Sequence, residues 1–270
     1  MLLRFEAQLG DKKFSEIAPE LVLRDIVETP AEVETSMVRF ANRPGQRMSS
    51  IVRTSLSVRL VYVIRSKDIQ RRMEIRDLVA SWAAKGGALK INTRPGKKLY
   101  VVCENIPALD SSLRWTQDLS LTLTAYTDPF WLSENDVALS VATRYIEDDD
   151  VHYFADVIYP NGNAGKAPVT FTLINNGTSA MKYLRIVADH TFIELRGINI
   201  QPNTPVLMMY TDGILEIIDF FNMSGDRSLL MYRTPESYDD LMLEPGRDNQ
   251  IIVWADQPVS GTITANERWL

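Results

Sequence analysis

The clearest pattern in this sequence is an alternation of apolar and polar residues over residues 51–64, IVRTSLSVRLVYVI. One face of the pattern holds Val52, Leu56, Val58, Leu60, Tyr62 and Ile64, and the other holds Arg53, Ser55, Ser57 and Arg59. A period of two residues is typical of a strand with one buried face. LSLTLTAY at residues 119–126 repeats the pattern and ends before Asp128-Pro129. We therefore predict two long, half-buried strands.

The region between these strands predicts one helix and one hairpin. In residues 66–87 the stripe of Ile75, Leu78, Val79 and Trp82 has helical spacing, with Ser66 as the expected N-cap and Gly86 or Gly87 as the stop. Arg71 lies at the edge of this stripe, and Arg72 and Arg76 lie beyond it. Residues 89–104 predict a hairpin, because Pro95-Gly96 suits the two central positions of a type II turn. The helix needs a sheet to cover.

After about residue 135 the pattern changes to many short strands separated by turn residues. Asp212-Gly213 between two apolar runs is typical of a two-residue hairpin turn. Strands at this spacing favour a β-sandwich. The polar SEND and the acidic EDDD at residues 147–150 mark a junction between residues 135 and 150. We predict a mainly β protein of two β-sandwich domains, residues 1–140 and residues 141–270.

Charge is distributed unevenly along the chain. The net charge of −6 combines +4 in residues 1–145 (21 basic, 17 acidic) with −10 in residues 146–270 (8 basic, 18 acidic). Residues 39–98 alone hold 15 basic and 3 acidic groups. Such a stretch attracts an anionic partner, either nucleic acid or an acidic protein surface. No apolar run reaches the roughly 20 residues of a membrane span, so no membrane association is expected.

A search for catalytic or metal-binding groups gives little. His152 and His190 are the only histidines and Cys103 is the only cysteine, so the common zinc sites are excluded. Cys103 lies in the apolar run YVVCE, and we interpret it as a buried, inert thiol. The glycine-rich motifs of nucleotide binders and serine hydrolases are missing, and the run 147–150 is interpreted as a solvated linker. We expect no enzyme activity, no cofactor and no metal.

The order of these elements resembles the distal tail protein family of siphophages. The resemblance rests on the long strand, the helix ending in LVASWAAKGG, the hairpin about RPGKKLYV, and IPALDSSLRWTQDLSLTLTAYTDPFW. The second half resembles the family's galectin-like sandwich through INNGTSAMKYLRIVAD and LEPGRDNQIIVWAD. The latter is similar to an L-x-P-G-x-N pattern, except that Asp248 displaces Asn249 by one position.

The resemblance implies a structural role. It implies a tail-tube-like N-terminal domain that closes a homo-hexameric ring at the tail tip, lets DNA pass, and connects the tail tube to the baseplate or host-adhesion apparatus. Implied partners are the tail tube protein, the tape measure protein, a tail-associated lysin or tip protein, and receptor-binding or baseplate proteins. The implied location is the virion, after assembly in the host bacterial cytoplasm.

The resemblance also implies contact residues between subunits. An arm near residues 28–50 would reach the next subunit, with Phe40, Arg43 and Arg47 as contacts. The basic faces that carry Arg53, Arg59, Arg72 and Arg76 are expected to meet protein, without specific nucleic-acid binding.

Three alternatives stay open at this point. One is a carbohydrate-binding, lectin-like module in which Trp254 or Trp269 stacks on a sugar. The second is a nucleic-acid-binding module that uses the basic stretch. The third is a component of a contractile tail or of a phage-tail-like bacteriocin.

Overall fold

The computed structural model describes residues 4–39, 46–105, 118–147, 150–211, 214–219 and 227–270. The chain divides into two compact units, Met1–Glu134 and Asn135–Leu270. Antiparallel strands make up most of both units, which confirms the prediction of a mainly β protein. No helix in the described ranges is long and apolar enough to cross a membrane.

The first unit combines strands with a helix. Its strands are β1 (Ala7–Leu9), β2 (Lys12–Lys13), β3 (Leu21–Thr29), β4 (Val33–Arg39), β5 (Gln46–Arg53), β6 (Leu56–Ile64), β7 (Gly87–Ile91), β8 (Lys97–Asn105), β9 (Leu119–Ala125) and β10 (Trp131–Ser133). The helix is α1 (Ile69–Ala84). The main sheet has the order β2-β1-β7-β8-β9-β6-β3, and β10 pairs with β8. Strands β4 and β5 pair only with each other.

The main sheet of the first unit has a covered face and an open face. The alternating apolar residues of β6 and β9 are buried, as the sequence predicted: Leu56, Val58, Leu60, Tyr62, Ile64, Leu119, Leu121, Leu123 and Ala125. On the covered side Phe14 contacts both Tyr62 and Trp82, with ring centroids 5.3 Å apart in each pair. Because Trp82 belongs to α1, the helix lies over this face.

Helix α1 differs from the prediction at its start and along its stripe. Its N-cap is Asp68, whose side chain accepts a hydrogen bond from the Gln70 amide at 2.9 Å, so the expected cap Ser66 lies outside the helix. The helix buries Ile75, Val79, Trp82 and Ala83, whereas Leu78 is 44% exposed. The prediction that Leu78 belongs to the buried stripe is wrong, because its position on the helix lies outside the narrow arc that meets the sheet.

The predicted turn at Pro95-Gly96 is present. The Lys97 amide donates to the carbonyl of Arg94 at 3.3 Å, and Gly96 has a φ of +73°. A positive φ at the second central position is what a type II turn requires, and glycine adopts it without steric cost. The turn joins β7 to β8.

The predicted single strand over residues 51–64 is wrong. It is two strands, β5 and β6, separated at Thr54 and Ser55. Strands β3 and β6 pair up to Thr29 and Ser57, and pairing resumes at Val33 and Arg53 in β4 and β5. One long hairpin is therefore interrupted near Pro30, because proline has no amide hydrogen to donate to the ladder.

The second unit consists of strands with a single 3-10 turn at Leu230–Tyr232 among the described residues. The strands are β11 (Val137–Ala142), β12 (Arg144–Ile146), β13 (Val151–Ile158), β14 (Ala167–Asn175), β15 (Met181–Ala188), β16 (Thr191–Ile200), β17 (Pro205–Thr211), β18 (Ile214–Asp219), β19 (Arg227–Ser228), β20 (Met242–Leu243), β21 (Asn249–Ala255), β22 (Val259–Ala265) and β23 (Arg268–Trp269).

Two sheets enclose the core of the second unit. One has the order β11-β22-β14-β17-β18-β19, with β20 paired to β14, and the other has the order β12-β13-β21-β15-β16. Their inward residues form one buried apolar cluster, including Phe171, Leu173, Ile186, Leu195 and Val253. Thr211 pairs with Ile214 across the predicted hairpin, while Asp212 and Gly213 lie outside the described residues.

The displaced asparagine of LEPGRDN has a defined structural role. Asn249 is fully buried, accepts a hydrogen bond from the Glu244 amide at 2.9 Å, and donates to the carbonyls of Glu244 and Arg247 at 2.8 Å each. Gly246 in the same turn has a φ of +73°. The side chain of Asn249 therefore closes the turn that leads into β21.

Candidate assembly surface

Strands β4 and β5 form a two-stranded ribbon that is separate from the main sheet. Their pairing runs from Val33 opposite Arg53 to Arg39 opposite Gln46. At about 3.3 Å per residue, the seven residues of β4 extend over about 23 Å. We call these two strands the ribbon.

The ribbon exposes apolar side chains to solvent. Every side chain from Val33 to Met37 is exposed, and Val33 and Met37 are 51% and 54% exposed. A two-stranded hairpin alone is only marginally stable in water. An exposed ribbon with apolar positions is therefore suited to contact another protein surface.

Hydrogen bonds between Glu32 and Thr54 close the root of the ribbon. The Thr54 amide donates to the carbonyl of Glu32 at 2.9 Å, and the Glu32 amide donates to the Thr54 hydroxyl at 3.1 Å. The hydroxyl thereby supplies an acceptor at the point where the strand ladder stops.

Glu28, Arg94 and Trp131 form a second network at the same root, which we call the root network. The Arg94 Nε lies 3.2 and 3.1 Å from the two Glu28 carboxylate oxygens, and its Nη2 lies 3.0 Å from Oε2. The Trp131 indole donates to the same carboxylate at 3.1 Å, and its ring lies 5.7 Å from the Arg94 guanidinium. Charge-assisted bonds of this kind are about twice as strong as neutral ones.

The position of Glu28 makes this network relevant to the ribbon. Glu28 is the second-last residue of β3, five positions before β4 begins, while Trp131 is fully buried. Burial and the nearby Arg94 charge also lower the pKa of Lys97, which follows Arg94 in the turn. The network fixes the last residues of β3 to the body of the unit. Sequence reasoning missed Glu28, Arg94 and Trp131 as functional residues.

Three of the seven predicted contact residues have no described side chain. Phe40 and Arg43 lie outside the described residues, and the backbone of Arg47 lies in β5. The side chain of Arg53, at the end of β5, lies 5.9 Å from the ring of Phe130. Phe130 and Trp131, the aromatic pair of DPFW, thus both contact the root of the ribbon.

The other predicted contact residues do not share one surface. Arg59 is exposed on β6, and its position alternates with that of Tyr62, so it projects from the open face of the main sheet. Arg72 and Arg76 belong to α1, which lies over the covered face, and Arg76 pairs with Asp77 at 2.8 Å. The structure therefore places these arginines on two sides of the sheet.

Acidic residues outside the basic stretch neutralise part of it. Ion pairs join Arg71 to Glu20 at 3.0 Å, Arg94 to Glu28 at 3.0 Å, and Lys90 to Glu134 at 2.9 Å. The hydrogen bond from Arg71 holds the pKa of Glu20 below its usual value. Three basic groups of the stretch are thus already paired with carboxylates.

The candidate chemical groups have ordinary surroundings. Cys103 is partly exposed, not buried as predicted, and lies next to a bulge in β8, where the pairing with β9 shifts register between Cys103 and Asn105. Burial nevertheless raises the pKa of its thiol. The ring of His152 lies against Tyr145 at 5.3 Å. Among the described residues, no group of three or more His, Cys, Asp or Glu side chains is arranged to hold a metal ion.

A β unit with one helix and a ribbon, followed along the chain by a two-sheet β unit, is a fold shared with phage tail hub and baseplate proteins. The Dit protein of phage SPP1, described as a hub of the adsorption apparatus in phages infecting Gram-positive bacteria, covers 98% of this chain and 99% of its own, with a TM-score of 0.66 and 12% identity. A chain of the phage P2 baseplate in its activated, calcium-bound conformation covers 97% and 98%, with a TM-score of 0.52 and 9% identity. No protein-family model and no curated protein matches the sequence.

Proposed function

We propose that this chain is a structural component of a phage tail tip. Its copies form a homo-hexameric ring that connects the tail tube to the baseplate or host-adhesion apparatus and lets DNA pass. The observation that carries this proposal is the correspondence of fold with the SPP1 Dit protein over nearly the whole of both chains. A shared fold at 12% identity leaves function to be tested directly.

The ribbon is the arm that reaches the next subunit. Its exposed Val33 and Met37 supply apolar contact area, and Phe40, Arg43 and Arg47 contact the neighbour. In a closed ring this contact is heterologous, since one surface of each subunit meets a different surface of the next. The root network holds the arm at a fixed angle, which a closed ring requires.

The remaining basic positions, Arg53, Arg59, Arg72 and Arg76, face protein and do not grip DNA. Ion pairs already neutralise Arg71, Lys90 and Arg94, which weakens any continuous track for phosphates. A lumen that held DNA through many phosphate contacts would also slow its passage.

The proposal includes the location and the neighbours of the protein. It acts without catalysis, cofactor or metal, in the virion, after assembly in the host bacterial cytoplasm. Its neighbours are the tail tube protein, the tape measure protein, a tail-associated lysin or tip protein, and receptor-binding or baseplate proteins. Residues 1–140 form the ring, and the galectin-like residues 141–270 face outward.

The lectin alternative finds little support at Trp254. Its ring lies between Tyr153 at 5.6 Å on one neighbouring strand and Arg185 at 5.5 Å on the other. Neighbouring side chains therefore already contact the ring on two sides, which limits the ring face open to a pyranose. A contractile tail or a phage-tail-like bacteriocin would use the same ring, so this alternative concerns the origin of the particle.

The mass of the purified full-length protein tests the proposal. Light scattering at micromolar concentration should give six times the chain mass of 30.6 kDa, and negative stain should show rings with a central channel. A monomer at every salt concentration tested, with no rings, would contradict the proposal. Peptidoglycan hydrolysis that disappears in Cys103→Ala or His152→Ala would contradict its non-catalytic part.

A further inference from the structure

The solvent-facing side of the sheet β12-β13-β21-β15-β16 carries a row of aromatic and basic residues. Directly paired positions place Tyr153 beside Trp254, Trp254 beside Arg185, and Arg185 beside Glu194. Inward-facing neighbours such as Val253 and Leu184 are buried. This row therefore lies on the outer face of the second unit.

Arg185 is held between two aromatic rings in this row. Its guanidinium carbon lies 4.4 Å from the ring centre of Phe192 and 5.5 Å from that of Trp254. Phe192 is in turn supported by an edge contact with Tyr238 at 5.8 Å. Stacking on both sides immobilises a side chain that otherwise has considerable rotamer freedom.

The guanidinium of Arg185 makes no hydrogen bond or ion pair with the residues that the structure describes. Its Nε is buried and has no hydrogen-bond partner. Neither Nη nitrogen is both buried and without a partner, so the two Nη groups reach solvent. The carboxylate of Glu194, on the opposite strand, is already occupied by Arg196 at 2.9 Å and by the Thr234 hydroxyl at 3.4 Å. A stacked arginine with an open outer edge presents the planar fork that suits a carboxylate.

We propose that Arg185, together with Trp254 and Phe192, forms a docking site for a carboxylate side chain of a partner protein segment. The charge favours an acidic partner, because Arg185 forms no ion pair among the described residues and the cross-strand carboxylate of Glu194 is already paired with Arg196. The partner is a peptide segment. Trp254 offers its ring edges, and Ile252 and Val187 beside it are partly buried. These apolar groups favour apolar side chains on both sides of the acidic residue of the partner. Trp, Tyr and Arg are also the residues most enriched at interface hot spots.

The test uses the full-length protein labelled with 15N at arginine Nε. Because the Nε of Arg185 is buried, its hydrogen exchanges slowly with solvent and gives an observable signal, which Arg185→Lys assigns by removing it. Acetyl-Leu-Glu-Leu-amide should move this signal in a saturable way, and acetyl-Leu-Gln-Leu-amide should not. The Arg196 signal should move little, because its guanidinium is paired with Glu194.

Two variants separate the site from general folding effects. Arg185→Met keeps the apolar stem between the rings and should weaken peptide affinity at least tenfold while the thermal transition stays near that of the parent. Arg196→Lys, the matched control on the next strand, should leave peptide affinity within twofold. Rising salt should weaken binding, since one charge pair carries it.

Several results would overturn the proposal. They are the absence of a saturable shift with the glutamate peptide, an equal shift with the glutamine peptide, or equal affinity in Arg185→Met. Binding of inorganic phosphate as tightly as the glutamate peptide would show a general anion site and would also overturn it. The experiment does not depend on ring formation, so its outcome is separate from that of the proposed function.

Discussion

The two units differ in how an edge strand of the sheet is covered. In the second unit, residues 233–238 cover the edge strand β16: the Thr234 amide donates to the Glu194 carbonyl and the Tyr238 amide to the Phe192 carbonyl, both at 2.9 Å. The Ser237 hydroxyl accepts from the Glu194 amide at 2.9 Å. In the first unit, the edge strand β3 continues into the exposed ribbon.

An uncovered edge strand is a template for pairing with another chain, and proteins usually protect it. The second unit covers its β16 edge with its own chain. The first unit instead presents a ribbon with exposed apolar side chains and fixes only its root. The difference identifies the first unit as the place where strand-mediated association is expected, and the second as a sandwich that associates through side chains on its outer face.

The largest effect is expected from charges on the ribbon. Val33→Asp with Met37→Asp should convert the proposed ring into monomers at micromolar concentration, because two carboxylates would have to be desolvated in the contact with the neighbour. Light scattering measures the mass. Val157→Asp is a matched control, since Val157 is a 50% exposed strand residue of the second unit. Intact rings in the double variant would show that the ribbon is not the arm.

The next largest effect is expected at the root network. Trp131→Ala should lower the free energy of unfolding of the first unit by about 3–5 kcal/mol, because it leaves a cavity at a fully buried position. Trp131→Phe removes the indole donor to Glu28 and a smaller part of the ring volume, and should therefore cost less than Trp131→Ala. Urea denaturation followed by far-UV circular dichroism measures both.

Hydrogen exchange separates a positioning role from a purely structural one. In Trp131→Phe, amides of the ribbon should exchange faster while those of β6 and β9 keep their protection, because the network holds the root and not the sheet. Unchanged exchange in the ribbon would mean that the Glu32 and Thr54 hydrogen bonds alone fix its root.

Local patterns in the sequence predicted much of the fold. The alternation in β6 and β9 predicted the buried residues, and Pro95-Gly96 predicted the turn. Both signals are local, because a period of two and a positive φ depend only on neighbouring positions. The break between β5 and β6 could not be predicted in this way. Val52 continues the alternation, and the interruption lies opposite Pro30, between β3 and β4, which no local pattern links to Thr54.

The candidate site was even less accessible to sequence reasoning. Glu28 contacts Arg94 and Trp131 at separations of 66 and 103 positions, so no local pattern links them. The aromatic pair after Asp128-Pro129 was the only signal. Likewise Arg185 and Trp254 lie on separate strands, and only the register of β15 with β21 brings them together.

A smaller effect is expected when the covered edge of the second unit is opened. Ser237→Ala removes the acceptor of the Glu194 amide and should lower the free energy of unfolding of that unit by about 1 kcal/mol. The Glu194 amide should also exchange with solvent faster. Ser140→Ala, at an exposed position on β11, serves as the control and should change neither measurement. Equal effects in both variants would show that residues 233–238 do not protect the edge.

The smallest expected effect is a pH dependence at the same edge. Burial alone would raise the pKa of Glu194, but the hydrogen bonds from Arg196 and Tyr183 outweigh it and lower the pKa below the usual 4.5. A carboxyl group whose pKa is lowered by folding stabilises the folded state above its unfolded pKa, and this stabilisation is lost as the pH falls through the folded value. Glu194→Gln should therefore lose less stability than the parent between about pH 5 and pH 3, measured as the midpoint of urea unfolding at each pH. Asp239→Asn is the control, because Asp239 is 92% exposed beside Arg233 and its charge is screened. If Glu194→Gln and the parent lose stability in parallel as the pH falls, the carboxylate of Glu194 does not hold the edge cover in place.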